Sequence, residues 1–567
     1  MEKGYAIHSV FIVILAVLFS GICSIVYAQK TDTPKGEALF AAIDPRGTQP
    51  PGDLIPLSPR VSDLNGKIVY IIKSWPQGSG LEGMYNKTAE ALKNRFPSVT
   101  VVIKDRNTRY SFDDPQLWKE LKDKKVAAFI YGVAPSSSTT AYAFKYSAKL
   151  EKDGIPGTVL MFDSLLSVAK DTKTRIGAPV RYTAVSYPET SLSENQVSDA
   201  IKSIIGNLTL PLTNEETKTG KYEPPKYPRI AITGTLSQVQ DYFYKQDMTD
   251  GLPIIPPTEE KVAEMLRGTS HRPDEVLTTG FPPDRLVVTV EKVAINGVMA
   301  GCKPEYMPVL LASVEAFMKR DYESVVRSTG SFSFMEIING PIRKQLEMNA
   351  DAWAIGSVNQ ANATIGRALR LFIINLGGGR PGINMMGVIG NTSSVSFCFP
   401  EYEERSPWTP LSVELGFKPG ENTLTLFNGG WSHMGNYGYT STPLFDVGRD
   451  IAAFEYPSGA VILISAGRAD VLKKEGLSKE AVKDQIWKEA LLSLGEYKSG
   501  NFSRGMAAER VKQGELKQEE LNQPDNTLIS AYSRKTIYII VVGGDGAPMM
   551  QAWQMSNPQS VSIDKWR

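Results

Sequence analysis

Apolar and polar positions change pattern sharply at Lys67. Before it, residues 29–66 are rich in Pro, Gly and Asp (DPRGTQPPGDLIPLSPR) and show no apolar periodicity, the pattern of an exposed lead-in that is partly ordered at best. After it, short β-rich runs alternate with helical stretches. Ile68–Ile72, Thr100–Ile103, Val126–Tyr131, Thr158–Phe162 and Tyr182–Ser186 read as strands. Glu82–Phe96, Gln116–Leu121, Thr139–Leu150 and Glu194–Ile205 read as helices between and after them. Near-continuous apolar strands separated by helices predict a parallel sheet covered on both faces, an open α/β domain over residues 67–213.

A polar, Pro-rich stretch, Asn214–Pro228 (NEETKTGKYEPPKYP), reads as a linker. In residues 229–567 the periodicity predicts helices at Glu259–Leu266, Met307–Met318, Asn362–Leu369 and Lys479–Leu494. Leu286–Val290, Ala460–Ile464 and Ile537–Val542 read as strands. Gly377-Gly378-Gly379, Gly429-Gly430 and Gly543-Gly544 read as turns. The expectation is a larger mixed α+β domain whose strand order the pattern does not supply.

Ahead of the lead-in, Lys3, the apolar run Val10–Phe19 and Val26-Tyr27-Ala28 have the three-part form of a secretory signal over residues 1–28, with Gln29 the first mature residue. The apolar run is short for a stable span and no comparable run follows; an uncleaved anchor is the alternative. Ile22 before Cys23 does not suit a lipoprotein site. The expected location is therefore periplasmic or extracellular, with no stable membrane span after cleavage.

Apolar content of 42%, charged content of 22% and a net charge of +1 are ordinary for a globular chain, and no basic excess points to nucleic acid. Glu2 and Lys3 cancel, so the mature charge is unchanged. Past residue 28 only Cys302, Cys398, His271 and His433 remain of their kinds, too few for a Cys-rich or three-histidine zinc site. One disulfide between the two cysteines stays open, as does a site of acidic oxygen ligands. Cofactor requirement and oligomeric state are not readable from the sequence.

Candidate chemistry falls in a few places. The predicted strand Val126–Tyr131 leads into Gly132-Val133-Ala134-Pro135 and then Ser136, Ser137, Ser138, Thr139 and Thr140. There hydroxyls and amides can meet an anion, or Ser138 or Thr139 can simply cap the next helix. Cys302, before a helix starting near Pro304 and beside Lys303, is either an activated thiol or a small buried hydrophobe. Cys398 alternates with aromatics and precedes Glu401, Glu403 and Glu404; Glu401 and Glu404 are an acid–base candidate or merely solvated. His433, between Gly-Gly and Gly435, reads as an exposed loop residue and is the first candidate for a general base, whereas His271 reads as surface. Arg367 and Arg370, three apart, share a helix face that leads through a predicted buried strand to Gly377–Gly382, where Gly378, Gly379 and Arg380 can receive an anion or carbonyl or simply form a structural turn. That loop lacks the spacing of a nucleotide fingerprint.

The stretch YGVAPSSSTTAYAFKYSAKLEKDGIPGTVLMFDSL resembles the signature region of the UGSC family of (seleno)proteins, named for a selenocysteine- or cysteine-Gly-Ser-Cys motif in this loop. The helix residues and Gly154-Ile155-Pro156 agree with it. Ser136 stands where the selenocysteine or cysteine would be, and Thr139 where the second cysteine would be. A hydroxyl cannot carry out thiol–disulfide exchange. DGLPIIPPTEEKVAEML, VEKVAINGVMAGCKPEYMPVLLASVEA, NGPIRKQL, NATIGRALRLFIINLGGGRPG and SFCFPEYEERSPWTPL resemble the family's long forms. Gly543-Gly544 does too, without the histidine the resemblance would place just after it. The resemblance implies no particular reaction. The resulting expectation is an exported small-molecule enzyme not using residues 136–139 for thiol redox. Cys302, Cys398, His433 and Glu401 are its chemical groups, and Ser136, Ser138, Thr139, Arg367, Gly378, Gly379 and Arg380 its binding groups. The alternative is a non-catalytic exported binding or assembly protein.

Overall fold

The computed structural model describes residues 37–567 apart from 76–78, 357, 435–442, 455–457, 500–506, 508–509 and 546–547; of residues 431–434 and 443 it describes the backbone alone. The leader, residues 1–28, lies outside the described residues. Among these, no helix is long and apolar enough to cross a membrane.

The lead-in is more engaged than its composition predicts. β1 (Phe40–Ile43) pairs antiparallel with a strand nearly two hundred residues later, Ile230–Gly234, and buries Ala42 and Ile43 in the core of the C-terminal domain. A four-residue apolar run carries too little periodicity to be recognised without its partner. Next come β2 (Ile68–Lys73), β3 (Thr100–Asp105), β4 (Ala128–Gly132), β5 (Gly157–Phe162) and β6 (Tyr182–Val185). They form an all-parallel sheet in the order β3-β2-β4-β5-β6. Every residue of β4 and β5 is buried, as strands covered on both faces must be. The order reverses between β2 and β4, and the loop after β4 opens α1 (Ser137–Lys152) there. α2 (Leu166–Ile176) follows β5, and the strand paired with β1 is β7 (Ile230–Gly234).

The C-terminal domain is mixed α+β. Its helices include α3 (Val290–Ala300), α4 (Met307–Met318) and α5 (Gln360–Leu371); α5 lines the candidate site and α4 carries Ser313 beside it. Its main sheet is built from β8 (Ser333–Asn339), β9 (Cys398–Pro400), β10 (Thr423–Met434), β11 (Ala460–Ile464), β12 (Ile537–Val541) and β13 (Met550–Ser562). The order is β9-β8-β10-β13-β11-β12; β8–β9 and β11–β12 run parallel, and the other pairs antiparallel.

Three local readings of the sequence are corrected here. Gly429-Gly430 is no turn but an irregularity inside β10: a side chain at Gly429 would place its Cβ 2.1 Å from the carbonyl of Gln554 on β13. The apolar run after α5 continues helically, with a π-turn at Phe372–Leu376, instead of forming a strand; Asn375 within it donates to the Met248 carbonyl at 3.0 Å and the Asn296 Oδ1 at 2.8 Å. The helix from Lys479 ends at Glu489, and Leu491–Ser493 pairs as a short strand with Leu528–Ser530.

The two domains are joined by a buried ion network. Lys145 on α1 reaches Glu323 at 2.6 Å; Arg327 bridges Glu323 at 3.1 Å and Asp284 at 2.9 Å. Arg175 on α2 joins Asp171 at 2.8 Å and Asp284 at 3.1 Å, and Arg285 also meets Glu323 at 2.9 Å. Burial alone would raise the Glu323 carboxyl, yet Lys145, Arg327 and Arg285 hold it well below its ordinary range.

Candidate functional site

β8 has the sequence SFMEIIN, and all seven residues are buried. Phe334 and Ile338 face the helical layer that holds α4 and α5, whereas Met335 and Ile337 pack on the opposite side. Alternation puts Glu336 on the helical side, in an apolar wall. Ser313 of α4 donates to its Oε1 at 2.5 Å; its Oε2 has no hydrogen-bond partner. Burial pushes this carboxyl up to about 8, with the Ser313 bond pulling the other way. At neutral pH the group is largely an acid, not a carboxylate.

Glu336 lines a narrow cleft of about 40 Å³, together with Ser333, Phe334, Gly366, Leu369, Arg370, Ile373 and Phe397 among others. α5 reaches this close to the sheet because residue 366 is Gly: a Cβ there would sit 2.5 Å from Ser396 Oγ and 2.8 Å from the amide of Phe397. Arg370, one turn further along α5, has no carboxylate within ion-pair distance among the described residues; its polar contact is Met385 Sδ at 4.0 Å. Ser333 Oγ, also in the cleft wall, is unpartnered as well. A proton-bearing acid, a guanidinium without an ion pair among the described residues, and apolar walls thus meet at one narrow opening.

The residues singled out from the sequence fall around this cleft and elsewhere. Cys398 on β9 is the register partner of Glu336, and Cys302 donates its thiol to the Thr364 carbonyl on α5 at 3.3 Å. Both cysteines are free, and neither lines the cleft. Burial pushes the Cys302 thiol up to about 12 and Cys398 well above its ordinary value, the reverse of thiolate activation. Lys303 and the helix beyond it do not offset that desolvation. We expect both to resist an aromatic disulfide reagent in the native state at pH 8 and to react once urea unfolds the chain; fast native labelling at Cys302 would contradict this.

Glu401 is fully buried beyond the end of β9, where its Oε2 accepts from Asn339 Nδ2 at 2.7 Å and the Leu411 amide at 2.8 Å. Burial raises its pKa, but no cleft reaches it among those described. Glu404 is paired with Arg343 at 3.1 Å. The backbone of His433 lies in β10 opposite Trp553, not in a free loop; its side chain lies outside the described residues. His271 bonds Glu275 and the Lys565 carbonyl, each at 3.0 Å.

Arg367 is engaged by Asp250 at 2.8 and 2.9 Å, whereas Arg370 on the same helix has no carboxylate partner among the described residues. Arg380 bonds Asp171 across the domain junction, and Gly378 packs on Asp284, where a Cβ would meet Oδ2 at 2.8 Å; Gly379 packs on Met385 and Ile373. This loop serves the ion network. Ser136 is the N-cap residue of α1, without a side-chain cap bond; its Oγ lies 3.0 Å from Ser138 Oγ, which also donates to Tyr110 at 3.1 Å. Thr139 turns back to the carbonyls of Ala134 and Ser136 at 3.0 and 2.8 Å. No group of three or more His, Cys, Asp and Glu suited to a metal occurs among the described residues.

Sequence reasoning does not reach Glu336 or Ser313. The available signal is a single acid in an otherwise apolar run, SFMEIIN, within a segment whose pattern does not announce a strand.

A doubly wound parallel sheet with its switch point at the β4–α1 loop, followed by a mixed α+β domain, defines the class of this chain. Residues 41–214, which carry that sheet, match the UGSC family. No curated protein and no solved structure gave a significant match.

Proposed function

We propose that the chain is an exported enzyme acting on a small molecule in the Glu336 cleft, with Glu336 as general acid and base. The observation that carries this reading is the unpartnered Oε2 of a fully buried carboxyl in the wall of a narrow opening. Leaving a buried polar atom unpaired costs about 1–3 kcal/mol, a cost that a bound ligand removes. A carboxyl that titrates near neutrality can both give and take a proton at working pH. Export rests on the leader at residues 1–28, and the working domain limits are 67–213 and 229–567.

The test is substrate consumption. The mature chain and Glu336→Gln are incubated with a fractionated small-molecule extract from the compartment into which the chain is secreted, and depletion is followed by mass spectrometry. Loss of general acid–base action predicts turnover slower by about 10²–10⁴-fold in the variant. Equal depletion by both proteins rejects the role of Glu336. Depletion by neither favours the second reading, a non-catalytic binding protein, which draws support from the closed thiols and from Ser136 and Thr139 at the positions where the resemblance places reactive groups.

A further inference from the structure

A second, roomier opening lies at the carboxyl ends of β11 and β12, neighbouring parallel strands of the C-terminal sheet. β11 runs into it at Ser465 and β12 at Gly543-Gly544, while β13, antiparallel to β11, begins beside it at Met550. Residues 352–355 form another part of the wall, and next to them the Gly543 amide donates to the Ala350 carbonyl at 2.8 Å. The space is about 290 Å³, against about 40 Å³ for the Glu336 cleft, and the two share no lining residue. The carboxyl ends of parallel strands are where open sheets ordinarily receive ligands.

The chemistry of the wall restricts what fits. No Asp, Glu, Lys, Arg or His occurs among its described lining residues, so an entering ion would lose water and gain no counter-charge. Ser465 Oγ already accepts from the Arg468 and Met549 amides, at 3.3 and 3.0 Å, so the many hydroxyls of a sugar would go unmatched. Trp353, also in the lining, is 75% exposed and holds φ at +63°, a conformation that a bulky residue rarely adopts. One edge of its ring rests on Gly356, where a Cβ would come 2.9 Å from Cε3. A strained backbone and an exposed indole both cost the fold free energy, and a ligand that covers the ring offsets that cost.

We propose that this opening binds an uncharged aromatic molecule of one or two fused rings, stacked on Trp353. Met549 and Met550 suit it as well, because thioether sulfur meets aromatic rings favourably. The site is additional to the Glu336 cleft and does not depend on the reading of that cleft.

The experiment uses the mature full-length chain and calorimetry near pH 7 with four probes of similar shape: 2-naphthol, the anion 2-naphthoate, the cation 2-naphthylmethylammonium and the saturated trans-2-decalol. 2-Naphthol is expected to bind at least about tenfold more tightly than either ion, and about 2–12-fold more tightly than the decalol, the contribution of one aromatic stack. Trp353→Gly should weaken 2-naphthol binding by about tenfold or more, and Trp353→Phe should keep most of it. Met549→Trp should fill the space and abolish binding; should that variant not fold, the two Trp353 variants still decide. Because the indole is exposed and glycine adopts a positive φ freely, Trp353→Gly should melt no lower than the parent. Glu336→Gln should bind 2-naphthol as the parent does. Equal or tighter binding of either ion, equal binding of the decalol, undiminished binding in Trp353→Gly, loss of binding in Glu336→Gln, or no binding of any probe would each overturn the assignment. A Trp353→Gly chain that melts well below the parent would assign the indole to the fold and overturn it too.

Discussion

Glu336→Gln should stabilise the folded chain by about 3–5 kcal/mol near pH 9 and leave it nearly unchanged near pH 4. The sign follows from which state holds the proton. In the unfolded chain the carboxyl titrates near its ordinary 4.5, whereas burial in the fold moves it to about 8. Below 4.5 both states are protonated and the group contributes nothing differential. Between 4.5 and 8 the folded state binds more protons than the unfolded one, so stability falls as pH rises, by about 1.4 kcal/mol per unit. Above 8 both are ionised and the loss levels off. Glutamine keeps the shape of the neutral acid and cannot ionise, so it removes the decline. Urea titrations of both proteins at several pH values give the result as a difference, in which every other titrating group cancels. Two parallel stability curves, with the same offset at pH 4 and pH 9, would show that the Glu336 carboxyl is not buried in this way.

The second large effect is expected at the domain junction. Glu323 is fully buried and meets Lys145 from the N-terminal domain as well as Arg285 and Arg327 from its own. Glu323→Gln removes the one anion these three cations share, and stranding buried charge in this way costs about 3–5 kcal/mol. An exposed pair provides the contrast. Lys119 and Asp123 lie at 2.5 Å but are 76% and 59% exposed, and Lys119→Ala should cost less than about 1 kcal/mol. The junction variant should also become sensitive to protease between the domains, because α1 and α2 dock through the same network. Urea midpoints and limited digestion check both points; a Glu323→Gln midpoint no lower than that of Lys119→Ala would mean the network contributes little to holding the domains together.

The N-terminal sheet was legible because each strand there is an uninterrupted apolar run between helices, as the fully buried β4 and β5 show. The C-terminal sheet was legible only at β11 and β12, because its central strands carry the residues that ordinarily break one. β10 contains Gly429-Gly430 and β13 contains Pro558, and both strands are held by neighbours far off in sequence. Around the cleft, sequence alone singled out the helix face of Arg367 and Arg370 and named Arg367 as the binding group. Arg367 and Arg370 are equivalent by spacing, and only the fold brings Asp250 to one of them. It also named Cys398 while passing over Glu336, its partner across the strand pair.

The order of apolar and polar residues therefore determined the α/β character of the first domain, the mixed character of the second and the scarcity of soft metal ligands, since these depend on neighbours along the chain. Tertiary structure alone decided which titratable groups lost their water. Desolvation and pairing are set by what packs across a sheet or helix, so the Cys302 thiol was pushed up, Glu323 became a shared anion, and Glu336 a largely neutral acid with one oxygen still unpaired.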